Sequence, residues 1–335
     1  MSLIGSGMRE PWTLARRSAV ATVILPAVSD VPSLVRSACA RVAGQAGYVI
    51  IERDAIPAYV AGLPLAEPAA PPDPNPHVTE GPREARAAFW LTLDAVNFGS
   101  GWFPTLRKRE GRSGYYTVAT GVRERFATHG PWTADELAAI TAAEVADVLG
   151  QDPGHELMAL YATSLADLGR HVTDDYDGRF LSVVEAATGS AVALAGLLAG
   201  WDSFADVSTY DGFTVPFYKR AQIAAADLED GGVVRWRDRE CLTMFADNLV
   251  PHVLRLDGIL RFAPGLAARI AREELIEHGS PEEVEIRACA VHAVELIAAA
   301  RPGASPADID RLLWSRGGGP RYKSEPRHRS RSTAY

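Results

Sequence analysis

The sequence predicts a mainly α protein: a compact helical fold with few short strands. Three observations carry that prediction. Helix-start signatures recur along the chain, apolar residues repeat at helical spacing, and alternating strand patterns are scarce. The 335 residues are 47% hydrophobic and 23% charged, enough apolar material for a core that needs neither disulfide nor metal to hold it together.

Asp30, followed by Val31 and Pro32, joins a capping side chain to a first-turn proline and predicts a helix through Ala46. Tyr48-Val49-Ile50-Ile51 and Tyr115-Tyr116-Thr117-Val118 are β-branched and aromatic, and read as short extended pieces that could pair. The proline-rich run from Pro64 to Pro76 reads as a surface loop or a covering strap. Thr133 with Glu136, and Thr141 with Glu144, have the spacing at which side chain and backbone cap each other reciprocally. From His155 to about Asp174, Leu157, Leu160, Tyr161, Leu165 and Leu168 follow a helical period. Ser280-Pro281-Glu282-Glu283 combines a cap, a first-turn proline and a capping-box acid, and opens a helix to about Ala300. Ser305-Pro306 repeats the device ahead of Ile309, Leu312 and Leu313. No internal repeat and no change of composition marks a later linker.

Net charge is −8. Proteins that hold long polyanions gain affinity from a positive face and counterion release, so extended DNA or RNA is disfavoured as a partner. A local basic cluster can still grip one small phosphate. Cys39, Cys241 and Cys289 are few, odd in number and far apart, the usage of reduced thiols in a cytoplasmic protein. The most apolar stretch, Gly189 to Gly200, is too short to span a bilayer, and the N-terminus shows no leader pattern. The expectation is a soluble, cytoplasmic protein without a membrane partner.

Three segments could carry chemistry. The first runs from Phe89 to Pro104, beginning as a helix and ending in a loop crowded with aromatics, an amide and glycines. Aromatic faces hold flat heterocycles and amides read their polar edges. Trp90 and Phe103 read better as core, whereas Asn97, Phe98 and Trp102 suit either ligand binding or packing.

In the second, a turn at Tyr210-Asp211-Gly212-Phe213 leads into a helix bearing Lys219 in its early part. Downstream, Asp247 or Asn248 can cap a helix that tolerates Pro251 in its first turn. A hairpin, a helix with an early lysine and then an Asp opening a later helix is similar to the order in helix-hairpin-helix DNA glycosylases. The chemistry suits the pairing. Breaking an N-glycosidic bond builds positive charge on the sugar, which a fixed carboxylate at Asp247 stabilises while orienting the attacking water. Lys219 could stabilise the departing base, hold that carboxylate or contact phosphate. Taken singly, each residue is equally a plain N-cap or a solvated lysine. The glycosylase hairpin also has a Gly-x-Gly whose bare amides hold a DNA phosphate. Val215-Pro216-Phe217-Tyr218 stands here instead, with no glycine and one amide lost to proline. That departure moves the substrate from a duplex towards a free nucleotide.

The third segment runs from Tyr322 to Tyr335. Its clustered basic residues and hydroxyls could clamp a monophosphate or simply form a solvated tail, and its aromatics argue for docking. His171, Asp174, Asp175 and Asp177 lack a second histidine at ligand spacing, so no metal site is expected there. His252 and His292 read as packing or capping residues.

Together these segments resemble the queuosine salvage protein family. The matching pieces are Phe89 to Pro104, Tyr210 to Ala224, Leu242 to Leu260, and the end from Asp310 through Tyr322-Lys323 to His328-Arg329 and Tyr335, with Arg17-Ser18-Ala19 and Asp30-Val31 also fitting. Arg16 stands where the family pattern leads us to expect an acid. The resemblance implies a fold related to helix-hairpin-helix DNA glycosylases, without metal or organic cofactor. It implies hydrolysis of queuosine 5′-monophosphate, with water as second reactant, to release queuine. By that similarity Asp247 is the catalytic carboxylate and Lys219 its close partner. Asn97, Phe98 and Trp102, with Asp94, Tyr210, Asp211 and Phe213, surround the base or ribose; in the basic tail, Tyr322, Lys323, His328 and Arg329 are the candidates for holding the phosphate. Residues 11–335 would then form a single helical catalytic domain, open to division into two lobes flanking the active-site cleft, after a flexible N-terminus over 1–10.

Overall fold

The computed structural model describes residues 30–64 and 72–335. Arg16, Arg17-Ser18-Ala19, the N-terminal residues 1–10 and most of the proline-rich run lie outside them. Helices dominate the described residues, accompanied by two small antiparallel strand pairs.

The Pro281–Ala300 helix is buried along most of its length and packs against the Val31–Ala43, Leu249–Leu256 and Pro306–Gly317 helices. Its start follows from Ser280, whose Oγ accepts from Glu283 N at 3.3 Å. Glu283 returns a bond one residue earlier than a strict capping box, accepting from Gly279 N at 3.1 Å. Thr133 with Glu136, Thr141 with Glu144 and Ser305 with Asp308 each form the full reciprocal box. Asp30 Oδ1 accepts from Ser33 N at 3.1 Å and opens the first described helix, which ends at Ala43, three residues short of the expected Ala46. The Glu156–Tyr176 helix buries Leu157, Tyr161, Leu165 and Leu168, as their spacing predicts.

The strand expectations need one correction. Val49–Ile51 is a strand, but its partner is Leu260–Phe262, in antiparallel register from Val49 opposite Phe262 to Ile51 opposite Leu260. Tyr115–Val118 is helical, inside Gly114–His129. Ser113 caps that helix by accepting from Tyr116 N at 3.3 Å, and the Tyr115 and Tyr116 rings pack edge-on to Trp314. Cap and packing outweigh the β propensity of the four residues. The second strand pair joins Val207–Tyr210 to Phe213–Pro216 around Asp211-Gly212. Both turn residues have positive φ, 44° and 76°, the backbone of a two-residue hairpin turn that an Asp-Gly pair favours.

Cys39 and Cys289 are buried thiols and Cys241 an exposed one. No single helix among the described residues is long and apolar enough to cross a membrane.

Candidate active site

Two helix starts and one helix end build the site. The Arg83–Ala95 helix ends at Asp94-Ala95, and the chain turns through Val96, Asn97 and Phe98. Asp94 has no solvent exposure, and its Oδ1 accepts from Asn97 Nδ2 at 3.2 Å. Asn97 in turn presents its backbone oxygen to Lys219 Nζ at 2.9 Å. Lys219 opens the Lys219–Asp230 helix after Tyr218, which adopts left-handed φ of 48°, and its amide donates to Asp206 Oδ2 at 3.1 Å.

The Lys219–Asp230 helix runs back along the Arg83–Ala95 helix. Arg220 Nη1 donates to Ala95 O at 2.6 Å, and at the far end Gly231 O accepts from Arg86 Nη1 at 2.9 Å. Asp227, two turns on from Lys219, shares its face and so comes opposite Asp94. Burial pushes Asp94 up to about 7, against the Asn97 bond and the Lys219 and Arg220 charges. Burial, then the Asp94 charge, also holds Asp227 well above the usual carboxylate range. Yet Asp227 and Tyr115 each keep partial exposure, although burial is the chief influence on the ionisation of both.

Asp247 stands at the other side of Lys219. Its Oδ1 accepts from Leu249 N at 2.8 Å and Val250 N at 3.1 Å, capping the Leu249–Leu256 helix. Its Oδ2 receives no hydrogen bond from any described residue, and the side chain is half-buried. One oxygen is thus fixed and the other left without a partner among the described residues. Burial lowers the Lys219 ammonium below the ordinary lysine range, while Asp247 and Asp94, in that order, pull it back. Asp310 lies close by, its Oδ1 accepting from Phe245 N at 3.1 Å; burial and then the Asp247 charge hold it well above a normal carboxylate.

The C-terminal segment docks across this region. Asn248 Nδ2 donates to His328 O at 3.0 Å, Arg255 Nη2 to Pro326 O at 3.1 Å and Gly99 N to Tyr335 O at 3.0 Å. Arg327 is half-buried between these anchors, with no hydrogen bond or ion pair among the described residues. Burial lowers its guanidinium, and Asp247 is the first charge that opposes the shift.

The structure thus brings together Asp94, Asn97, Lys219 and Asp247. Phe98 is buried, its ring 4.9 Å from Tyr161 and under the Arg220 guanidinium, so it supports the loop from behind. Trp102 is 4% exposed and donates from Nε1 to Glu156 Oε2 at 2.8 Å. Tyr210 donates to Glu285 Oε1 at 2.7 Å, Phe213 lies 3.8 Å beneath the Arg41 guanidinium, and Asp211 is exposed in the turn. None of these partners is Lys219 or Asp247.

Of the four phosphate candidates, Tyr322, His328 and Arg329 are held by different partners. Tyr322 is buried and donates to Asp257 Oδ1 at 2.8 Å, Lys323 is exposed, and Arg329 lies 3.4 Å from Glu273. His328 is 2% exposed, and burial drives its imidazole down to about 3.

Residues 76–335 match the model of the queuosine salvage protein family. The chain is 38% identical over 310 residues to a protein of Sphaerobacter thermophilus, covering 88% of this chain and 95% of that one. The chain belongs to the queuosine salvage protein family. Further relatives are a Bos taurus protein, 33% identical over 193 residues and 55% of this chain against 57% of its own, and a Dictyostelium discoideum protein, 28% identical over 262 residues and 75% against 79%. All three carry the name queuosine 5′-phosphate N-glycosylase/hydrolase.

Within this queuosine salvage protein, sequence reasoning passed over Asp227, Asp310 and Arg327 as individual residues. Asp227 had a signal, its place eight residues beyond Lys219 on one helix. Asp310 and Arg327 had none that separates them from ordinary surface charges.

Proposed function

We propose that the protein hydrolyses the N-glycosidic bond of queuosine 5′-monophosphate, releasing queuine and ribose 5-phosphate, as a soluble cytoplasmic enzyme acting on a free nucleotide. The observation that carries this reading is the Lys219–Asp247 pair. A buried lysine is held by Asn97 O, and the charge nearest to it is a carboxylate that has one oxygen fixed by two amides and the other without a hydrogen bond among the described residues.

The Asp247 Oδ2 atom sits under C1′ of the bound nucleotide, where it stabilises the positive charge that grows as the bond to the base lengthens. It also orients the incoming water, whose oxygen bonds to C1′ and whose proton balances the one the base acquires. Queuine is a 7-deazapurine, with carbon where a purine carries its protonatable five-ring nitrogen. Leaving-group activation at that atom is closed, and the base departs with negative charge. The Lys219 ammonium meets that charge. Arg327 takes the 5′-phosphate through charge-assisted hydrogen bonds. Asn97, fixed by Asp94 on one side and Lys219 on the other, presents its amide to the base.

The test is incubation with queuosine 5′-monophosphate, queuosine and GMP, with detection of free base. Queuine from the first substrate is the expected result. Base release from GMP alone overturns the assignment.

A further inference from the structure

Deep behind the site, Arg287 is a guanidinium with no solvent exposure in the middle of the Pro281–Ala300 helix. The mechanism above gives it no part. It donates from Nη1 to Asp206 Oδ1 at 3.0 Å and from Nη2 to Asp206 Oδ2 at 2.6 Å, while Nε donates to Ala246 O at 2.9 Å. Glu283 Oε1 lies 3.5 Å from Nη1. The guanidinium plane is flanked by Phe217 at 3.9 Å and Tyr335 at 4.6 Å.

Asp206, Ala246 and Tyr335 each belong to a segment that places a site residue. Asp206 Oδ2 also accepts from Lys219 N, and Asp206 O accepts from Phe217 N and Tyr218 N, so Asp206 fixes the start of the lysine helix. Ala246 immediately precedes Asp247. Tyr335 O holds Gly99 N, two residues beyond Asn97. One planar, five-donor group therefore touches the supports of Lys219, Asp247 and the Asn97 loop, which lie far apart in sequence. A buried ion pair gains little net stability over apolar packing of equal volume, so geometric registration is the property such a fork supplies.

We infer that Arg287, paired with Asp206, is a positioning residue that sets the separation of Lys219 from Asp247. The inference rests on the functional reading above. An ammonium cannot reproduce the fork: Arg287→Lys keeps the charge but cannot serve both Asp206 oxygens and Ala246 O together. The two segments then lose their common reference, and misplacement on the ångström scale is costly to a reaction that depends on alignment.

The experiment is a kinetic cycle on queuine release from queuosine 5′-monophosphate, using wild type, Arg287→Lys, Lys219→Met and the double variant. Arg287→Lys is expected to lower kcat by roughly 10- to 100-fold with KM nearly unchanged, the pattern of alignment lost in the transition state. In the Lys219→Met background the same change should cost markedly less than in wild type, because one member of the pair whose separation it sets is already gone. Asp206→Asn, which keeps an acceptor for Lys219 N, should reproduce the pattern if Arg287→Lys folds poorly. Equal fractional losses in both backgrounds signify a merely structural role and overturn the inference. So does an undiminished kcat, and with wild type active that result leaves the functional reading standing. A wild type that releases no queuine takes down that reading and this inference with it.

Discussion

Among individual residues, a structural role and a chemical one sit on the same side chain. Asp247 is the plain helix cap that its sequence context allows, yet it caps with one oxygen only. Arg327 differs from the other tail cations in being half-buried and unpaired, with Asp247 nearby. Arg327→Met is expected to raise KM for the 5′-phosphate by about 10- to 100-fold, the worth of one or two charged hydrogen bonds, while leaving kcat/KM for the nucleoside unchanged. Equal losses on both substrates in steady-state assays would place the phosphate elsewhere. Asp94 yields a pH prediction. Its pKa is raised in the folded protein, to about 7, so the native state binds the extra proton and stability declines as pH climbs from the unfolded value towards 7. Asp94→Asn mimics the protonated acid, so urea midpoints measured at pH 5 and pH 8 should converge relative to wild type. A variant whose midpoints keep the wild-type separation contradicts the assignment. Lys219 and Asp247 stand out in the sequence because their order resembles that of the glycosylases, and the structure sets them side by side. Asp227 was not, since its meaning depends on the Arg83–Ala95 helix lying across from it.

For whole elements, local chemistry was readable wherever it is self-contained. Ser, Thr and Asp caps fixed the helix starts, because both partners of each bond lie within three or four residues. Tyr115–Val118 misled because its preference is decided by Ser113 and by Trp314, the latter nearly two hundred residues away. The Asp211-Gly212 turn was visible, but the strands flanking it are four residues each, too short to alternate convincingly. Gly101 shows how an element can be tied to the site by absence of a side chain. A methyl group added there would lie 2.3 Å from Ser330 O, so the tail rests directly on the loop. Gly101→Ala should lift the tail and reduce kcat/KM by an order of magnitude or more, since Arg327 travels with it. Protease cleavage near residues 324–335 should quicken in step, and a tail as resistant as in wild type would refute the coupling.

Across the molecule, the site exists only because four distant stretches converge. The Asn97 loop, the lysine helix, the Asp247 cap and the tail are tied together through Arg287 of the Pro281–Ala300 helix, and nothing in the sequence announces that this helix supplies their common anchor. Composition bears on the type of partner only through the net charge of −8, which disfavours an extended polyanion, and the proposed site accordingly relies on single cations, Lys219 and Arg327. Family membership fits that economy, since a small nucleotide offers one phosphate to hold. The most direct measurement of the central claim compares queuine release by wild type and Asp247→Asn. Asparagine caps a helix as well as aspartate, so the melting temperature should stay within a few degrees. Release should nonetheless fall on the order of a thousandfold or more, through loss of the negative charge at C1′. An Asp247→Asn enzyme retaining release within about tenfold of wild type would contradict the account.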